Sequence, residues 1–113
     1  IMMDDCIFCK IIKREIPATI VKENDNFIAF KDISGQAPTH ILCIPKTHYA
    51  GIAFMEDHTE LGGLMDFGNK VAKEQNLTSG YRFVINQGED GGQTVFHTHL
   101  HVLGGRKLQW PPG

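Results

Sequence analysis

Three of the chain's six histidines fall in one short stretch, His97-Thr98-His99-Leu100-His101-Val102-Leu103. In an extended segment alternate residues share a face, about 7 Å apart, so the three imidazoles are expected to project together. Thr98, Leu100 and Val102 then take the opposite face. Three kinds of role suit such a row. The rings could be structural, although a core seldom supplies partners for three polar rings on one face. They could converge on a metal such as zinc. Or they could divide the work, with one a nucleophile, one contacting a phosphate, and one structural or metal-bound. An imidazole attacks phosphorus at neutral pH and forms an N–P bond that water can cleave. That role needs an acceptor on the other ring nitrogen, to hold the attacking nitrogen free of its proton.

Two further groups could do chemistry. Upstream of the histidines lies Gln87-Gly88-Glu89-Asp90-Gly91-Gly92-Gln93. Its glycines could turn backbone N–H groups towards phosphate oxygens with no Cβ in the way. Asn86 and Thr94 flank it and add donors that do not compete as bases. Such a loop beside a histidine row favours the division of labour. The second group is Cys6-x-x-Cys9, readable as a redox pair, as two incidental thiols or as half of a zinc site. A redox pair would need a thioredoxin-like βαβ context, which the pattern does not offer. Cys43, in an apolar run, reads as a buried small hydrophobe.

The elements that must position these groups are short. Residues Ile7 to Arg14 predict a short helix stopped at Pro17. Ala18–Glu23 and Phe27–Lys31 predict two strands joined by the turn-forming Asn24-Asp25-Asn26. Ile41–Pro45 predicts a third, an apolar run ended by proline. A long helix is expected from about Thr59 and Glu60, with Leu61, Leu64, Met65, Val71 and Ala72 on one face. Gly62, Gly63 and Gly68 cost helix propensity, and close packing on a sheet would account for them. Gly80 is expected to stop this segment. Tyr81–Asn86 and His97–Leu103 supply the last two strands. With one long helix for five strands, the expected class is α+β with a largely antiparallel sheet, because parallel pairs each need a crossover.

Bulk properties narrow the functions. A chain of 113 residues suits one domain, 1–113, and 42% hydrophobic with 21% charged residues describes a globular protein. A net charge of -2 with no basic stripe argues against gripping a nucleic-acid backbone. No apolar run approaches the roughly 20 residues that cross a bilayer. The start, Ile1-Met2-Met3-Asp4-Asp5, is too short and acidic for a secretory signal, and three cysteines do not suggest a disulfide framework. A cytoplasmic protein is expected.

The run His97-Thr98-His99-Leu100-His101-Val102 resembles the signature of the histidine-triad (HIT) superfamily. Other segments resemble its Hint branch, in order along nearly the whole chain. They are Phe30-Lys31-Asp32-Ile33, Gln36-Ala37-Pro38-Thr39-His40, Ile44-Pro45-Lys46, Gly91-Gly92-Gln93-Thr94, Leu103-Gly104-Gly105-Arg106 and the final Trp110-Pro111-Pro112-Gly113. The diadenosine-polyphosphate hydrolases, the other main branch, lack that ending.

The resemblance implies a HIT-like α+β fold of five mainly antiparallel strands, and a homodimer whose two sheets join into one of ten strands. It implies hydrolysis of purine nucleoside 5'-phosphoramidates, such as AMP linked through nitrogen to an amine or lysine. The alternatives are diadenosine-polyphosphate hydrolysis and a non-catalytic nucleotide-binding regulatory module. Carried over by residue, His99 would form a nucleotidyl-histidine intermediate and His101 would contact the phosphate. Asp32 would bind the ribose hydroxyls and Ile33 would pack near the base, with Phe8, Ile11 and Leu42 as further walls. Asn86, Gly92, Gln93 and Thr94 would surround the phosphate. Gly35 stands where many relatives have proline, which loosens the loop after Asp32. Thr94 replaces a common serine but keeps its hydroxyl. Relatives with the same cysteine pair complete a structural zinc site with residues matching His48 and His97, one zinc per chain; on its own, His48 has the alternative reading of an exposed loop residue. His40 could order the catalytic histidine or simply pack at a strand edge, and His58 is expected at the surface.

Overall fold

The computed structural model describes residues 3–113; Ile1 and Met2, where the acidic start begins, lie outside the described residues. A short helix α1 (Ile7–Ile12) leads to β1 (Ile20–Glu23), β2 (Phe27–Lys31) and β3 (Thr39–Pro45). A 3-10 turn at Ile52–Phe54 precedes the long helix α2 (His58–Glu74), and β4 (Tyr81–Val84) and β5 (Leu100–Gly104) complete the sheet. The strand order is β1-β2-β3-β5-β4, with every neighbouring pair antiparallel. This is the expected α+β class, and β2 has its expected bounds. No helix among the described residues is long and apolar enough to cross a membrane.

Both faces of the sheet are covered, which is why the central strands read as continuous apolar runs rather than alternating ones. On one side α2 packs Leu64, Phe67, Val71 and Ala72 against Phe27, Ala29, Ile41, Cys43, Leu100 and Val102. On the other, α1 packs Phe8 and Ile11 against Ile28, Phe30, Leu42 and Ile44. The histidines share this second side.

Three expectations are corrected. The helical face does not include Met65, which is 42% exposed, while Phe67, absent from the expected stripe, is buried. Gly68 explains the shift. A Cβ there would stand 2.6 Å from Leu100 Cδ2 and 3.0 Å from Phe83, so the helix meets the sheet backbone-first along that line. Second, α2 ends at Glu74, before Gly80, because Asn76 takes a left-handed φ of 60°. Third, β5 starts at Leu100 instead of His97. Extending its register would set Thr98 opposite Pro45, which has no N–H to give. The Thr98 N–H bonds instead to Tyr49 O at 2.8 Å, and the segment 97–99 leaves the ladder.

Candidate functional site

Although only His101 lies in the strand, the three rings stay on the α1 side. Phe8 packs T-shaped against both His97 and His99, with centroids 5.9 and 5.2 Å apart. His99 and His101 are neighbours at 4.9 Å. The three nevertheless do different things, as the hydrogen bonds show.

His97 points Nε2 at Pro45 O, 2.8 Å away. A carbonyl only accepts, so Nε2 carries the proton and Nδ1 is left as a lone pair. That lone pair faces Cys6 Sγ at 3.4 Å, Cys9 Sγ at 3.6 Å and His48 Nδ1 at 3.1 Å. Cys9 Sγ in turn lies 3.4 Å from His48 Nδ1. Zinc bonds of about 2.3 Å to sulfur and 2.0–2.1 Å to nitrogen, set tetrahedrally, separate donor atoms by roughly 3.3–3.8 Å. The observed edges therefore outline a tetrahedral cage fitted to a metal ion, with two soft and two borderline donors. Burial holds His97 neutral, its pKa pushed down to about 4, and burial also lowers that of His48. His48 is thus no stray loop residue. The Cys6 thiol also caps α1 through the Cys9 N–H, so the spacing of the pair is set by one helical turn.

His99 is buried, and its Nδ1 lies 2.8 Å from His97 O. Again the carbonyl fixes the tautomer, leaving Nε2 unprotonated. Burial lowers the ring's pKa, which keeps that lone pair available. This is the acceptor a nucleophilic imidazole requires, supplied by the backbone two residues earlier.

His101 Nδ1 meets His40 Nε2 at 2.8 Å, and His40 Nδ1 accepts from the Gln36 N–H at 3.0 Å. Asp32 Oδ2 lies 3.5 Å from His40 Nε2. These three residues form a second group of metal-capable side chains, but its ring nitrogens are at hydrogen-bond distance, shorter than a tetrahedral edge. His101 Nε2 is buried and has no partner among the described residues. A buried ring nitrogen without a partner is costly unless a ligand meets it.

The remaining candidates fall into place unevenly. Asp32 accepts the Ser34 N–H on Oδ1, leaving a half-buried carboxylate at the end of β2. Ile33 is fully exposed. Phe8, Ile11 and Leu42 are buried in the α1-side core, where Phe8 also backs His99. In the glycine-rich loop, Gly88 and Gly92 have φ of 75° and 78°, and a Cβ on Gly91 would strike Gln87 O at 2.4 Å. Gln93 is buried, with its side chain bonded to Gly88 N, Ala50 O and Val95 O. It therefore braces the loop, while Thr94 is exposed and Asn86 half-buried. A cavity of about 740 Å³ lies elsewhere, between Asn76–Arg82 and Gly105–Leu108, and is lined by no histidine. Its arginines bond main-chain oxygens of Gln109, Lys107 and Gln36.

The HIT domain pattern matches residues 13–108. The chain is 53% identical to a 14 kDa zinc-binding protein of Zea mays, over 95% of this chain and 87% of that one. A crystal structure of a HIT family hydrolase from Legionella pneumophila superposes with a TM-score of 0.93 at 49% identity, covering 96% of this chain and all of the other. A histidine triad nucleotide-binding protein from Candida albicans gives 0.82 at 32% identity, over 95% and 83% of the two chains. The chain belongs to the HIT family.

Proposed function

We propose that the protein hydrolyses purine nucleoside 5'-phosphoramidates through a nucleotidyl-histidine intermediate. The observation that carries this is a pair of adjacent ring nitrogens: a bare Nε2 on buried His99, its tautomer fixed by His97 O, and an unpartnered Nε2 on His101 beside it. One nitrogen supplies the electron pair for phosphorus, and the other meets a phosphoryl oxygen as charge develops there. His99 Nε2 bonds to phosphorus and the P–N bond breaks. The amine leaves, taking a proton from solvent. Water then cleaves the N–P bond, giving the nucleoside monophosphate and restoring His99. Asp32 would receive the ribose hydroxyls, Ile33 the base, and Asn86, Gly92 and Thr94 the phosphate, with Gln93 holding the loop in shape. A nucleotide-binding protein and a hydrolase among the structural relatives agree with this reading.

The Cys6, Cys9, His48 and His97 cage would hold one zinc ion, in keeping with the zinc-binding relative. Four protein ligands close the coordination shell, so the metal would tie the N-terminal segment to the chain entering β5 and leave the chemistry to His99. The protein would act in the cytoplasm as a homodimer with a ten-stranded sheet, joined along the free edge of β4. Exposed Tyr81 and Met65 lie at that edge and on α2, and Trp110 lies in the tail.

The test compares amine release from adenosine 5'-phosphoramidate with cleavage of diadenosine polyphosphates. Faster phosphoramidate turnover is expected. Faster dinucleotide cleavage would move the protein to the other branch, and nucleotide binding without either reaction would make it a regulatory module.

A further inference from the structure

The lone donor on His101 is not a property of His101 alone. A neutral imidazole carries one proton, and which nitrogen holds it is set by what the other nitrogen meets. Here the choice can be traced outward through two bonds. The Gln36 backbone N–H can only donate, so His40 Nδ1 must be its acceptor. Neutral His40 then carries its proton on Nε2, which donates to His101 Nδ1. Neutral His101 is left with its proton on Nε2, the buried atom without a partner. Burial lowers the pKa of both rings, so the neutral forms are those present near pH 7. The outer end of this chain is also held. Arg106, just after β5, donates to Gln36 O at 3.0 Å, and its own neighbour Gly105 sits so close to Pro38 that a Cβ would lie 2.8 Å from the Pro38 Cβ.

We propose that the backbone amide of Gln36, clamped by Arg106, selects through His40 the tautomer in which His101 turns an N–H into the phosphate site. Gln36, Arg106 and His40 are then positioning residues. The loop 32–40 consequently carries two tasks: it bears Asp32 at one end and, through the Gln36 peptide, decides whether His101 is a donor or an acceptor. With the opposite tautomer, His101 would present a lone pair to phosphoryl oxygens and repel them.

The effect on rate rests on the phosphoramidate reading, but the tautomer does not, so the two are measured separately. Long-range ¹H–¹⁵N spectra of the zinc-loaded protein at pH 7.5 (a working choice well above ~6.5, the ordinary histidine pKa) should show His101 protonated at Nε2 and bare at Nδ1. His40→Leu removes the donor and should give a mixture of both forms, with kcat falling about 10- to 100-fold, less than the loss of a whole oxyanion donor. His40→Gln keeps an N–H donor and should restore the Nε2–H form and most of the rate. Gln36→Pro removes the amide while leaving both rings in place, and should also give the mixture. Arg106→Met, at an exposed position, should cost about 2- to 10-fold, the worth of one exposed hydrogen bond. A wild-type His101 protonated at Nδ1, or a His101 that stays in the Nε2–H form in both His40→Leu and Gln36→Pro, overturns the proposal even if phosphoramidates are cleaved. Conversely, the expected spectra with no phosphoramidate turnover would uphold the relay and refute the proposed reaction.

Discussion

On the α2 side of the sheet the core is apolar throughout, from Phe27 and Ile41 to Phe67, Leu100 and Val102. On the α1 side, the same strands and the segment entering β5 hold His40, His97, His99 and His101 among Phe8, Ile28, Phe30 and Leu42. The α2 side gains stability from area removed from water, at roughly 25 cal/mol per Å². The α1 side carries polar rings whose burial costs free energy unless each nitrogen finds a partner. Nearly all of them do, through Pro45 O, His97 O, the Gln36 N–H and one another. The exceptions, the bare His99 Nε2 and the buried His101 Nε2, and the cage around Cys6 and Cys9 are where a ligand or an ion is wanted. One face therefore stabilises the fold while the other spends stability on chemistry, and substitutions should sort accordingly.

The largest effect belongs to His99. His99→Ala should lower phosphoramidate turnover by about 10⁴-fold or more, since no second group can form the covalent intermediate. Nucleotide affinity and the melting temperature should change little. Intact-mass measurement after rapid quenching should find a nucleotidyl adduct on the wild type and none on the variant. Turnover that survives the substitution would break the assignment of chemistry to this face.

Next comes the cage. In small zinc peptides, metal binding is worth roughly 10–16 kcal/mol, so losing even half of it exceeds any single core truncation. Cys9→Ser should lower zinc content and the melting temperature together, by roughly 15 °C or more. Assayed where it remains folded, the variant should keep most of its rate. A rate loss that added zinc reverses, with the fold unchanged, would show that His97 passes the state of the cage to His99 through the carbonyl that fixes its tautomer.

The apolar face should respond in the opposite way. Phe67→Ala should destabilise by about 3–5 kcal/mol, because the ring is buried against Phe27 and leaves a cavity. Urea unfolding measures this, and zinc content and kcat in the folded fraction should hold.

What could be read in the sequence follows the same division. β2 was legible to the residue because apolar positions and the Asn24 turn agree, Asn24 Oδ1 accepting both the Asn26 and Phe27 N–H groups. The triad is legible as chemistry because its residue types are rare at that spacing, yet its strand is shorter than the alternating pattern suggests. The limit comes from Pro45, a residue on another strand, and single-segment periodicity does not see it. The stripe on α2 departs from its periodicity at Met65 and Phe67 because periodicity counts hydrophobicity, whereas Gly68 sets the rotation by lacking a side chain. His48 could be paired with the cysteines only through the family resemblance; spacing alone leaves it a loop residue. The bracing role of Gln93 was not visible, since its partners Ala50 and Gly88 are backbone atoms brought near by the fold.

The smallest effect tests whether the faces are independent. Asp57 caps α2, its Oδ1 accepting the Thr59 and Glu60 N–H groups at 2.8 and 3.3 Å. Asp57→Ala should cost about 1 kcal/mol, as removal of an N-cap typically does. Asp57→Asn should recover most of this, losing only the charge that favours a helix N-terminus. The first turn of α2 is also where the two faces are bridged by side chains. The Tyr49 hydroxyl donates to Glu60, while Tyr49 O accepts the Thr98 N–H between the two site histidines His97 and His99. If capping matters only to the helix, Asp57→Ala lowers the urea midpoint and leaves kcat unchanged, and Tyr49→Phe does the same. If Asp57→Ala and Tyr49→Phe each reduce kcat while their folded fractions stay near unity, the bridge conveys the position of α2 to the segment 97–99. The apolar face would then help to aim His99 as well as hold the sheet together.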